Sequence, residues 1–150
     1  MENNENLIEV KNLKTYFYLD QGVVKAVDDV SFNIKEKRSL GIIGESGCGK
    51  SVTAQSILRI VPSPPGEIVE GSIKLRRLNG EVDDLVQMDP FGKEIRNIRG
   101  NDISLIFQEP MTSFGPLNTI GDQVMEVILL HNDISEDEAR ERVIKMMDQV

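Results

Sequence analysis

An α/β fold is what this 150-residue sequence predicts, and three stretches carry the prediction. Residues 7–19 and 23–34 alternate loosely, are rich in β-branched and aromatic side chains, and flank the turn signal Asp20-Gln21-Gly22, which reads as two paired strands. Residues 39–43 are a short apolar run ending at a glycine, the pattern of a buried strand. From Lys50 to Val61 the period turns helical, with Val52, Ile57, Leu58 and Val61 available for one face, until Pro62, Pro64 and Pro65 stop it.

The remaining elements follow in order. Residues 66–100 are polar and are expected to hold two short strands and then a brief helix through Ile95 and Ile98. The run "ISLIF", residues 103–107, is a second candidate for a buried strand. Thr119 is placed to cap a helix from Ile120 to about Leu130. Ser135 and Glu138 fit a capping box, acids crowd the turn that follows, and Ala139, Val143, Met146, Met147 and Val150 supply an apolar stripe. That helical pattern runs to the last residue with no C-cap glycine and no breaker, so the chain reads as cut rather than finished. His131 falls at a helix end before Asn132, where a cation is favourable.

Length and charge narrow the function classes. A chain of this size is expected to form one domain that buries roughly 70% of the surface its unfolded form exposes. The net charge of −8 sets a field that repels phosphodiester polymers and anionic lipid surfaces. Cys48 is the single cysteine, so no internal disulfide forms. Residues 1–6 are acidic and amide-rich, unlike a signal peptide, and the longest apolar runs fall far short of about twenty residues. The chain reads as cytosolic and able to dock on a membrane protein.

The chemistry concentrates between the apolar run at 39–43 and the helix that follows. Gly44-Glu45-Ser46-Gly47-Cys48-Gly49-Lys50-Ser51 has the spacing G-x-x-x-x-G-K-S, with the strand and helix context that a phosphate-binding loop requires. Several backbone N–H groups converge best on a phosphate where side chains do not obstruct it, and the helix end adds positive potential. In this reading amides from Gly47 to Ser51 form the nest, the Lys50 ammonium reaches the β and γ phosphates, and the Ser51 hydroxyl ligates Mg²⁺. A plain glycine-rich turn would not need the lysine and hydroxyl as well. Cys48 reads as a small residue in a loop that uses its backbone, although alkylation there would block the site.

With "VKAVDDVSFNI", "GESGCGKSVTAQSIL", "IRNIRGNDISLIFQEPMTS" and "TIGDQVMEVI" in this order, nearly the whole chain resembles the ATP-binding subunit of an ABC transporter. More narrowly it is similar to the subunits of oligopeptide and dipeptide importers. The resemblance implies a P-loop NTPase of the ABC ATPase type. It would comprise an N-terminal antiparallel β subdomain, part of the parallel core sheet, and the start of a helical subdomain at about 119–150. Residues 1–150 would then be an incomplete nucleotide-binding domain, with the phosphate loop at 44–51 and a Q-loop around 108. ATP and Mg²⁺ are the implied ligands. The implied nucleotide-binding residues are Phe17, Gly44, Glu45, Ser46, Gly47, Cys48, Gly49, Lys50, Ser51 and Val52. Phe17 stands at the position of the family's adenine-stacking aromatic, with Tyr16 and Tyr18 beside it as alternatives. Lys50 and Gln108 are the implied catalytic residues, and Ser51 and Gln108 the metal ligands. The implied partners are a transmembrane permease and a second nucleotide-binding domain, identical or not, with the chain peripheral on the inner face of the membrane.

The sequence also departs from the family. Gly115 stands where an asparagine usually precedes the proline, and "LRRLNGEVDDLVQMDPFGKE" is longer than usual and reads as a surface elaboration. The family's signature loop, its strand ending in Asp-Glu, and its switch histidine are not found. Asp83 and Asp84 lack a preceding apolar strand, Glu109 follows a glutamine, and His131 is in the wrong context. The chain alone is therefore expected to bind ATP without hydrolysing it, and its parallel sheet to have an uncovered edge. A truncated nucleotide-binding module and a soluble ABC-type ATPase without a permease are the alternatives.

Overall fold

β1 (Asn6–Leu19) is long because it finds ladder partners on both sides: it pairs antiparallel with β2 (Gly22–Lys35) and with β3 (Gly66–Arg76). β4 (Val82–Asp84) joins the far side of β3, so the sheet order is β2-β1-β3-β4. The expected hairpin and the two later strands are thus present. The computed structural model describes residues 6–108 and 114–150, which divide into two compact units after Ile103.

The loose alternation of β1 has a physical cause. Ile8 and Val10 are buried, and so are Leu13 and Thr15, one residue out of phase with the first pair. Asn12 absorbs the extra residue as a bulge, with φ 47. Its backbone N–H donates to Ser31 Oγ and its side-chain amide to Asp29 Oδ1, each at 2.8 Å. Asparagine adopts this left-handed conformation at low cost, and without the bulge Leu13 would turn to the solvent face.

One face of the sheet carries the core, built on Val10, Leu13, Ile73, Leu75 and Leu85, with Ile95 and Ile98 from α2 (Lys93–Ile98). Leu85 corrects the reading of its stretch as a surface elaboration, because it is fully buried in this cluster. Arg77, on the turn between β3 and β4, stands 2.9 Å from Asp102 and so ties that hairpin to the segment after α2.

The two apolar runs expected as buried strands are not strands. Residues 39–43 and 104–107 are irregular, with Ile43 98% and Ile106 89% exposed. A parallel strand is stabilised by ladder partners and by cover on both faces. Among the described residues the only parallel pairing near either run is an isolated bridge between Arg99 and Ile103. The part of the parallel core sheet expected from these runs is therefore not formed.

In the second unit, α3 (Ile120–His131) begins where Thr119 Oγ1 accepts the Asp122 N–H at 3.1 Å. The α4 helix (Glu136–Met147) carries the full capping box of Ser135 and Glu138. Ala139 and Val143 are buried, whereas Met146, Met147 and Val150 of the expected stripe are exposed. The helix stops at Met147 instead of running to the last residue. The departure at Gly115 is accommodated by Gln123, whose side-chain amide accepts the Gly115 N–H at 2.8 Å and donates to its carbonyl at 3.0 Å.

Candidate functional site

The loop at 44–51 leads into α1 (Lys50–Ile57), whose N-cap Gly49 has φ 94 and provides no side-chain cap. The first N–H groups of this helix are therefore unclaimed by a capping side chain, the arrangement that suits an anion. Gly47, at φ 80, also needs the left-handed region that glycine reaches without strain. A Cβ on Gly49 would collide with the Ala26 carbonyl oxygen, so only glycine lets the loop press onto β2 at this point. Thr53 locks the first turn, its N–H and its hydroxyl both donating to Gly49 O, at 2.8 and 2.9 Å.

Lys50 folds back across the loop. Its ammonium donates to Gly44 O and to Glu45 O, both at 2.7 Å, and lies 3.5 Å from Cys48 Sγ. The cation is thus held at the mouth of the loop by two carbonyls and, among the described residues, not by a carboxylate. Glu45, Ser46, Cys48 and Ser51 are exposed, and Val52 turns its side chain toward the core cluster. A positive side chain, an uncapped helix start and two glycines at positive φ are features from which an anion cradle can be built. Gln108 is exposed on an irregular segment of the second unit, and Glu109 lies outside the described residues.

The aromatic trio separates by face. Tyr16 donates its hydroxyl to Asp28 Oδ1 at 2.6 Å, and Lys25 Nζ stands 5.3 Å from its ring centre. That hydrogen bond, with Lys25 nearby, holds the Asp28 carboxyl below its ordinary range, and the same bond raises the Tyr16 phenol against the opposing pull of Lys25. Tyr18 is half exposed near the hairpin turn. Phe17 shares the face of Thr15 and lies against Gly66, where a Cβ would come within 2.9 Å of the ring and 2.5 Å of Val61 Cγ1. Of the three, Phe17 is the one on the face that α1 covers.

The mounting of α1 was not visible in the sequence pattern. Its buried positions are Thr53 and Ser56, with Leu58 just beyond, whereas Val52 and Ile57 are only partly covered. Ser56 Oγ donates to Val52 O at 2.7 Å and meets the buried Thr15 hydroxyl at 2.9 Å. The helix ends four residues short of Val61. Arg59 takes φ 56, its N–H bonds Ser56 O, and the Ile60 N–H bonds Gln55 O, which is a Schellman ending on a residue other than glycine. Arg99 makes this tolerable by donating Nε to Leu58 O at 2.8 Å and Nη2 to Arg59 O at 2.7 Å. The one sequence signal for these roles is the run of hydroxyls in a helix otherwise expected to be apolar inside.

Residues 27–150 match the protein family described as ABC transporter. The chain belongs to that family. Its curated relatives include the oligopeptide transport ATP-binding protein AppD of Bacillus subtilis (strain 168), 44% identical over 144 residues, covering 96% of this chain and 42% of the relative. The dipeptide transport ATP-binding protein DppD of the same organism is 41% identical, with 97% and 42% covered. The chain therefore spans about two fifths of the length of these relatives. The solved dimeric structure of MJ0796, a bacterial ABC transporter cassette, superposes with a TM-score of 0.74 at 24% identity, covering 92% of this chain and 54% of that one. The ABC fold class expected from the motifs is thus borne out, and so is the likeness to oligopeptide and dipeptide relatives.

Proposed function

We propose that this chain is the nucleotide-binding part of an ABC importer's ATPase subunit, taking ATP with Mg²⁺ at residues 44–51 and serving a peptide permease. The observation that carries the reading is the Lys50 ammonium lying across a glycine loop that opens an uncapped helix. The donor set fits a polyphosphate: the Gly47–Ser51 amides would face it, the Cys48 N–H leaving its 3.3 Å bond to Glu45 O, and Lys50 would exchange its two carbonyl contacts for phosphate oxygens. Gly44, Glu45, Ser46, Cys48, Gly49 and Val52 contribute through the backbone, and Phe17 offers its ring to the adenine.

Among the described residues no group of three or more His, Cys, Asp or Glu side chains is placed to hold a metal. Mg²⁺ commonly takes one or two protein ligands and completes its shell with phosphates and water, and Ser51 and Gln108 are the ligands that the family resemblance proposes for it. Bound, the ion would neutralise phosphate charge. Lys50 orients the phosphates, and Gln108 positions water. Hydrolysis, a second nucleotide-binding domain and alternating access belong to the whole subunit in this proposal. The domain assignment, with a Q-loop at 108 and a helical subdomain over 119–150, belongs to it too.

The peptide cargo is supported by the names of the relatives above. Among the described residues no helix is long and apolar enough to cross a membrane, so attachment at its inner face is proposed to run through the permease. Thermal unfolding with and without MgATP tests the nucleotide reading: ligand at a hundred times its Kd adds about 2.7 kcal/mol to a folded protein. An unchanged melting temperature at millimolar MgATP would discard it.

A further inference from the structure

Contacts along α1 and just beyond its end seat the helix on the sheet. Gly49 presses on the Ala26 carbonyl of β2, Ser56 meets Thr15 of β1, and Val61, just beyond the helix, packs where Phe17 lies over Gly66 of β3. The helix therefore crosses the sheet with the phosphate loop at one end and the aromatic ring near the other. The middle contact is polar and fully buried, with Thr15 and Ser56 both at 0% exposure. Ser56 has one hydroxyl proton, and that proton is directed at Val52 O, 2.7 Å away. Both contacts are satisfied together when Thr15 donates to Ser56 Oγ in the 2.9 Å contact between the two hydroxyls. A hydrogen bond has direction and a preferred length, which an apolar contact in the same place lacks.

We propose that the Thr15–Ser56 hydroxyl pair is a positioning device that sets the spacing between the Phe17 ring and the phosphate loop, so that one nucleotide engages both. The inference rests on the nucleotide reading above. Thr15 and Phe17 are two residues apart on one strand, so anything that moves α1 relative to Thr15 moves the nest relative to the ring. Ser56 is six residues, about 9 Å of helix, from Lys50. A small tilt at the pin is therefore felt at the helix start. The loop's internal bonds, from Lys50 to Gly44 O and Glu45 O and from Thr53 to Gly49 O, do not involve the pair. Loss of the pin thus leaves the phosphate cradle intact and spoils its registration with the base.

The test compares equilibrium binding of MgATP with that of magnesium tripolyphosphate, which has the phosphates and no base. The wild-type protein should prefer MgATP, since stacking contributes roughly tenfold or more in affinity. Thr15→Val keeps the shape and removes the donor, and should erase about tenfold of that preference while tripolyphosphate binding stays within about twofold. Thr15→Ser keeps the donor and should retain the wild-type preference. Ser56→Ala, which strands the Thr15 proton, should behave like Thr15→Val or worse. An unchanged preference in Thr15→Val, or an equal loss for both ligands, overturns the positioning role. A wild-type protein that binds tripolyphosphate without preferring MgATP overturns it as well, and one that binds neither removes the nucleotide reading beneath it.

Discussion

Arg99 closes the end of α1: its guanidinium donates to the carbonyl of Leu58 at 2.8 Å and, through a second nitrogen, to the next carbonyl at 2.7 Å. Leu58 O is the C-cap carbonyl, which has no partner within the helix and lies at its negative pole, and Arg59 O follows it on the left-handed residue that ends the helix. Arg99 is partly buried, and desolvation lowers its pKa, yet a guanidinium stays charged at any ordinary pH. Replacing it by alanine should destabilise the protein by about 2 kcal/mol, the scale of charge-assisted hydrogen bonds to partly buried carbonyls. Arg99→Lys should recover less than half of that, because an ammonium lacks the planar fork. Urea unfolding of the three proteins checks both statements. Equal midpoints for wild type and Arg99→Ala would remove the capping role.

Gly49 lies against the Ala26 carbonyl at φ 94. A methyl group there meets backbone on one side and forces a backbone conformation that L-residues rarely adopt. Gly49→Ala is expected to lift the loop from β2 and to weaken MgATP binding by at least about tenfold. Gly80, also at positive φ but with open space around it, is the control: Gly80→Ala should leave binding unchanged. Fluorescence titration with a nucleotide analogue distinguishes them.

Asp28 accepts the Tyr16 hydroxyl at 2.6 Å, and its carboxyl is held below the ordinary aspartate range by that bond first and by Lys25 second. A carboxyl with a depressed folded pKa contributes stability above its unfolded pKa of about 3.9, and the contribution disappears as pH falls through the folded value. Tyr16 shifts the other way, raised by the same partner, so its share is present below about pH 10 and lost as pH rises through its folded pKa. Carbon-detected titration of Asp28 should show the low value in the wild type and an upward shift in Tyr16→Phe. Identical titrations in both would contradict the assigned cause.

What the sequence made legible was local. The caps at Thr119 and Ser135, the hairpin turn and the glycine loop are each encoded within a few residues, and each is where the pattern put it. The phase change of β1 was hidden because the residue at fault, Asn12, is bonded to Ser31 and Asp29 far along the chain. The buried face of α1 was misread for a related reason. Hydrophobic periodicity favours Val52 and Ile57, but Thr53 and Ser56 satisfy their hydroxyls within the helix and against Thr15, which frees them to be interior. The runs at 39–43 and 103–107 show the limit most clearly: apolar composition gives a segment the capacity to be a buried strand, and a ladder partner decides whether it becomes one.

The central claim is that the loop from Gly44 to Ser51, with Lys50 across it, holds the phosphates of a magnesium-bound nucleotide. Calorimetric titration of the folded protein with MgATP tests it most directly. The expected result is a saturable heat in the wild type and, for Lys50→Ala, a loss of affinity of about tenfold to a hundredfold as one charge-assisted contact is removed. Equal affinities in the two proteins, or no saturable heat in a wild type shown to be folded, would contradict it.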